Sequence, residues 1–211
     1  MNKLKGLKEN SRLWLVPLAF IALVSTSLAS QATAIHDAAK TGDLDQVQRL
    51  VIKGVDVNAQ AVRDETPLII AAIAGNGEIV NYLLQRGADI NARSAAGLTA
   101  LHAAAYAGHS DIVSLLVAKG ATVNDSANRF GTTPLLLATE ENHIDTVSSL
   151  LAHGADVNAV EMNGISATSK AGWRENWELL KLLLANGGTC QPVDIAGDWL
   201  LEECTTRATA N

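Results

Sequence analysis

Only two cysteines occur in 211 residues, which excludes a disulfide-dense scaffold and a four-thiolate zinc site. Aromatic residues supply 4% and charged residues 18%, against 48% hydrophobic. So little charge with so much apolar material describes one folded domain and not a disordered chain. Lys and Arg number 16 against 22 Asp and Glu, a formal charge of -6 without a basic cluster. A nucleic-acid partner needs basic residues to displace counterions, so none is expected. Long apolar runs are missing too, apart from the twelve residues Leu13 to Val24, which are too few to span a bilayer comfortably.

That run has a particular setting. Lys3, Lys5, Lys8 and Arg12 precede it, and Ser25, Thr26, Ser27 and Ala29 follow. A basic start, a short apolar centre and small residues at Ser27-Leu28-Ala29 or Ser30-Gln31-Ala32 make the three-part layout of a secretory signal peptide. An uncleaved membrane anchor is the alternative. No cysteine lies near the cut, so a lipid anchor is not expected there. Removing residues 1–32 takes away four basic residues and one acidic one, leaving a formal charge of -9. Such a chain is soluble, repels anionic membrane surfaces and attracts basic partners. The expected location is the periplasm or the extracellular space, without membrane contact after cleavage.

What fills the rest is a repeat. Gly54, Gly87, Gly120, Gly154 and Gly187 follow one another at 33, 33, 34 and 33 residues, and Asn58, Asn91, Asn124 and Asn158 keep step. Five copies at this period demand a stacked architecture. Within one copy, Gly97 to Ala105 opens a short helix with Thr99 as N-cap, and Gly108 ends it in the left-handed conformation. Asp111 to Leu116 begins a second helix, closed by Gly120, and a polar turn containing Asn124 leads onward. Thr66-Pro67-Leu68 and Thr133-Pro134-Leu135 repeat the opening with proline at the first helical position, where no N–H is needed. Asp45, Glu78, Asp111, Asp145 and Glu178 recur at the start of the second helices, at the positive end of the helix dipole.

With its Thr-Pro-Leu openings, its 33-residue step and the closing Gly-Ala-Asp-Val-Asn-Ala of Gly154 to Ala159, the sequence resembles the ankyrin-repeat family. The resemblance covers about Thr33 to Gly188. It implies an all-α solenoid of about five helix-turn-helix repeats joined by short hairpin turns, at about 33–59, 60–92, 93–125, 126–159 and 160–188. Copy 1 lacks an entering hairpin and serves as the N-terminal cap, its polar Asp43, Asp45, Gln46, Gln48, Arg49 and Lys53 facing water. Departures occur at Asp64, where the turn usually has glycine, and in the turn of copy 4, which has one extra residue. Asn142 and Glu175 replace the glycine that ends the first helix, and Ser166-Ala167-Thr168 replaces the usual opening of copy 5.

Residues 189–211 form a C-terminal capping tail. Asp198 to Glu203 is expected as a short helix that packs Trp199 and Leu200 over copy 5. Cys190 and Cys204 flank this segment. In an oxidising compartment a bridge between them would close a loop of about 15 residues and contribute roughly 3 kcal/mol; two unpaired buried thiols are the alternative.

Groups able to do chemistry have structural explanations. His36 and His102 take the fourth place of the Thr-Pro-Leu-His opening, where the resemblance implies that imidazole bonds neighbouring turns. His109 and His143 share one place in the link between the two helices, and His153 ends a second helix where positive charge is favoured. No glycine-flanked nucleophile elbow occurs, and Gly75-Asn76-Gly77 lacks the other elements of a phosphate loop. Glu140-Glu141 is read as a solvated or partner-facing pair, since nothing convergent accompanies it. No catalytic residue, metal site or cofactor is expected. A site completed by the tail residues Trp199, Glu202, Glu203 and Cys204 is the one enzymatic arrangement left open.

The resemblance implies that a partner protein binds on a concave face, at the turn tips and the ends of the first helices. Here those positions hold Val62, Arg63, Leu98, Arg129, Phe130 and Met162 at the tips, and Ile73, Tyr106, Glu140, Glu141, Trp173 and Arg174 at the helix ends. Apolar and aromatic side chains with arginine neighbours are the types that dominate interface energetics. The expected protein is a monomeric, exported, non-enzymatic interaction module, one version of which supports a stress-defence enzyme. An immunity protein neutralising a toxin and a secreted effector acting on host proteins are the alternatives.

Overall fold

A computed structural model describes residues 33–190 and Thr206. Residues 33–41 form helix α1, paired with α2 (Leu44–Ile52). The second repeat holds α3 (Pro67–Ala74) and α4 (Gly77–Gln85), and the third α5 (Ala100–Ala107) and α6 (Ser110–Ala118). The fourth holds α7 (Pro134–Glu140) and α8 (Ile144–Ala152), the fifth α9 (Ala167–Trp173) and α10 (Trp177–Ala185). Among the described residues there is one isolated antiparallel bridge, Val160 with Ser166, and no longer strand. This is the all-α repeat solenoid expected from the period. The expected tail helix, with Trp199 and Leu200, and the expected signal peptide lie outside the described residues.

Short helices like these are marginal alone, so stacking decides the fold. First helices pack on first helices, α3 on α5, α5 on α7 and α7 on α9; second helices pack likewise, α2 on α4, α4 on α6 and α6 on α8. The second helices bury one stripe each: Ile79, Val80 and Leu83 in α4, Ile112, Val113 and Leu116 in α6, Leu179, Leu180 and Leu183 in α10. First helices are enclosed on more sides, and small residues make that possible. Ala71 and Ala72, Ala104 and Ala105, and Ala171 and Gly172 are buried where adjacent helices approach. Each fully buried Leu or Ile, among them Leu68, Leu101 and Leu135, contributes roughly 1.5–3 kcal/mol relative to exposure.

The helix boundaries follow from local chemistry. Thr66 and Thr133 accept the Ile69 and Leu136 N–H groups at 3.4 and 3.3 Å, ahead of prolines in the first turn. Ser166 does the same for the Ser169 N–H at 3.2 Å, so copy 5 keeps the cap despite its altered opening. Gly75 and Gly108 leave α3 and α5 at φ +81° and +82°. At the same place Asn142 and Glu175 carry φ +66° and +53°, so both residues that replace the glycine keep its left-handed backbone. Asp64, at φ +57°, likewise takes the place of a turn glycine, and Arg63 beside it is also left-handed at +72°.

Polar rows tie the repeats together. Asn58, Asn124 and Asn158 accept the N–H of Asp89, Asp156 and Thr189 at 2.8, 2.8 and 2.9 Å. The same asparagines donate to the carbonyls of Gly87, Gly154 and Gly187. A second row runs through the links between paired helices. Asn76, His109 and His143 donate to the Lys40, Ile73 and Tyr106 carbonyls at 3.2, 3.2 and 3.0 Å, so each link closes the C-terminal end of the preceding first helix.

Candidate functional site

The turn tips are joined by backbone bonds. Ala95 N–H donates to Arg63 O at 2.7 Å, Arg129 N–H to Ala96 O at 3.1 Å, and Met162 N–H to Phe130 O at 3.2 Å. With their backbones engaged on each other, the tips present side chains. Val62 and Met162 are 85% and 80% exposed, Phe130, Tyr106 and Ile73 about half so. Arg63, Arg129, Glu141 and Arg174 are exposed, while Leu98, Glu140 and Trp173 are half-buried.

The extra residue of copy 4 has a defined role in that presentation. Asn128 folds the longer turn onto its own side chain: Nδ2 donates to Thr132 O at 2.6 Å, and Oδ1 accepts the Phe130 and Thr132 N–H groups at 3.2 and 3.1 Å. Below it, Arg93 of the preceding copy pairs with Asp125 at 2.7 Å and donates to the Gly97 and Ala127 carbonyls at 2.9 and 3.1 Å. Burial alone would raise the Asp125 carboxyl, but the Ala127 N–H and the Arg93 guanidinium outweigh it and hold the group below the usual carboxylate value. Phe130 and Arg129 thus stand on a turn fixed from beneath.

His102 lies in the same layer. Its Nδ1 accepts from the Thr99 N–H at 3.3 Å, which assigns the proton to Nε2; that proton faces the Asp125 and Thr132 carbonyls at 3.0 and 3.3 Å. Burial pulls this imidazole below its usual value, against the opposing influence of those carbonyls and of the Asp125 charge. His36 donates comparably to Ala59 O at 2.8 Å, and His153 to Ser149 O at 2.7 Å. All five histidines therefore have partners in the repeat framework. Among the described residues no group of three or more His, Cys, Asp and Glu side chains could hold a metal ion. No helix among them is long and apolar enough to cross a membrane. Cys190 is half-buried at the end of the fifth repeat; Cys204 lies outside the described residues, as do Trp199, Glu202 and Glu203.

Repeats four and five enclose a groove of about 740 Å³. The tips contribute Arg129, Phe130, Thr132, Met162, Asn163 and Ile165; α7 contributes Leu137 and Glu140; α9 and its C-cap contribute Lys170, Trp173 and Arg174. Six of the twelve residues expected to meet a partner come together here: Arg129, Phe130, Glu140, Met162, Trp173 and Arg174. Val62, Arg63, Ile73, Leu98, Tyr106 and Glu141 do not line it.

Lys170 was not singled out by sequence, yet it organises the groove. Its side chain is 10% exposed, and the ammonium meets Glu140 at 2.8 Å and Glu161 at 3.0 Å. One buried cation thereby joins α7, α9 and the copy-5 turn. The signal was present in the register: the equivalent places in earlier copies hold Ile70, Ala103 and Leu137, so a lysine there breaks an apolar series.

No curated protein matches the chain. The family model described as ankyrin repeats, three copies, matches residues 18–94, 35–127 and 93–161. Those matches together cover about two thirds of the sequence. The chain belongs to the ankyrin-repeat family, whose repeats are in general protein–protein interaction modules and typically not enzymes.

Proposed function

We propose that this protein is an exported, non-enzymatic interaction module that acts as a monomer and binds one partner protein on its concave face, with repeats four and five as the main contact. The observation that carries this reading is the groove between those repeats, where half of the residues at variable tip and helix-end positions converge. Its frame is fixed by Asn128 and by the Lys170 ion cluster, so binding would cost little ordering entropy. Export rests on the basic and apolar pattern of residues 1–32, and a Cys190–Cys204 bridge belongs to the same reading because an oxidising compartment favours it.

The test is retention of a partner from the soluble exported fraction by the native protein and by a Tyr106→Ala, Phe130→Ala, Trp173→Ala variant of equal helicity by circular dichroism. The reading expects a partner held by the native protein and lost by the variant. Equal retention would place binding elsewhere. The partner's nature then separates support of a stress-defence enzyme from toxin immunity, and fractionation separates either from an effector released to a host.

A further inference from the structure

Resting on the concave-face reading above, we propose that the groove between repeats four and five takes an extended acidic segment of the partner, one that sets an apolar side chain on Phe130 and Trp173 and a neighbouring carboxylate on Arg129 and Arg174. The charges of the groove sort themselves by what already satisfies them. Lys170 is held by Glu140 and Glu161 at 2.8 and 3.0 Å, so this cation and these two carboxylates are committed to each other. That leaves Arg129 and Arg174, whose guanidinium groups have no ion-pair or hydrogen-bond partner among the described residues. Glu141 and Glu175, the other carboxylates at these helix ends, do not line the groove. In a chain with a formal charge of -6, two unengaged guanidiniums at one groove reverse the local sign.

The type of cation matters as much as its sign. Guanidinium presents a planar fork that matches a carboxylate in two parallel hydrogen bonds. The same groove offers apolar side chains: Phe130 and Met162, both exposed, from adjacent tips, and Leu137 and Trp173 from the first helices. Exposed aromatic and thioether surface beside a cation suits a side chain that leaves water while its neighbour's charge is matched at the rim. The backbone N–H groups of Arg129 and Met162 are spent on the preceding tips, so at these two residues recognition falls to the side chains.

The test is selection of a displayed random dodecapeptide library on the full chain as purified from the expressing cells. Counterparts are an Arg129→Ala, Arg174→Ala variant and an Ile73→Ala, Tyr106→Ala variant, each matched to the native protein by circular dichroism. The expected result is enrichment of peptides with Asp or Glu next to an apolar residue. Their binding should fall about tenfold in the double-arginine variant and further with added salt, and by a clearly smaller factor in the Ile73, Tyr106 variant. Basic or uncharged selected peptides, peptides held equally by the double-arginine variant, or no enrichment at all would overturn the proposal. Peptides lost only from the Ile73, Tyr106 variant would overturn it while leaving the concave-face reading intact. Peptides held equally by both variants would count against both.

Discussion

Glu175 and His102 show how single residues bear the cost of the repeat framework. Glu175 occupies the place that Gly75 and Gly108 fill in earlier copies, and it adopts φ +53°. A side chain with a Cβ resists that backbone by about 1 kcal/mol or somewhat more. Glu175→Gly should therefore raise stability by roughly 0.5–1 kcal/mol in urea denaturation; an unchanged or lowered midpoint would contradict this. His102 is buried neutral, with its folded-state value below the usual one of about 6.5. Below that pH the unfolded chain binds a proton that the folded chain resists, so the stabilisation is complete above about 6.5 and is lost as pH falls toward the depressed value. Denaturation series from pH 7.5 to 5 should show native stability declining, by at most ~1.4 kcal/mol per pH unit from this group. His102→Gln should decline less steeply over that range.

Among the elements, the links between paired helices do two jobs. His143 seals the carbonyl of Tyr106, and its ring also occupies the space beside Gly108, where an added Cβ would lie 2.6 Å away. Gly120 has the same left-handed backbone at φ +96° with open space around it. Gly108→Ala is thus expected to cost clearly more than Gly120→Ala in thermal unfolding, although the two carry similar backbone strain. Equal costs would mean that the ring moves freely. In copy 5 the link changes partner, for Asn176 donates to the Asn142 side chain. The turn entering copy 4 makes a different demand. Arg93→Ala leaves the buried Asp125 without its cation and should destabilise by about 1–2 kcal/mol, a figure kept low because Arg93 is partly exposed to solvent.

Much of this element scale was legible in the sequence, because each feature recurs in phase. The glycines, the Thr-Pro-Leu openings and the places where Asn142 and Glu175 stand in for glycine all follow from one period. The groove was not legible as a groove. Residues such as Phe130 and Trp173 could be placed at variable positions, but their convergence depends on a turn lengthened around Asn128 and on a Lys170 cluster that joins residues 30 positions apart. Periodicity says where variable residues lie and nothing about which of them share a cavity.

Taken whole, the molecule is a one-dimensional stack whose stability passes between neighbours. Leu101→Ala in the third repeat removes a fully buried side chain and should cost about 2–5 kcal/mol. Hydrogen exchange should show protection lost in repeats two and four as well as three, whereas a loss confined to repeat three would contradict nearest-neighbour coupling. The same design leaves the outward side chains of the tips and first helices exposed along one side, and the proposed partner contact lies at the groove between repeats four and five. Hydrogen-exchange footprinting of the protein with and without its retained partner would locate that contact. New protection is expected at residues 129–132 and 161–165 and at the C-terminal ends of α7 and α9, with α8 and α10 unchanged. Protection confined to the second helices, or to the polar cap of Asp43 to Lys53, would contradict it.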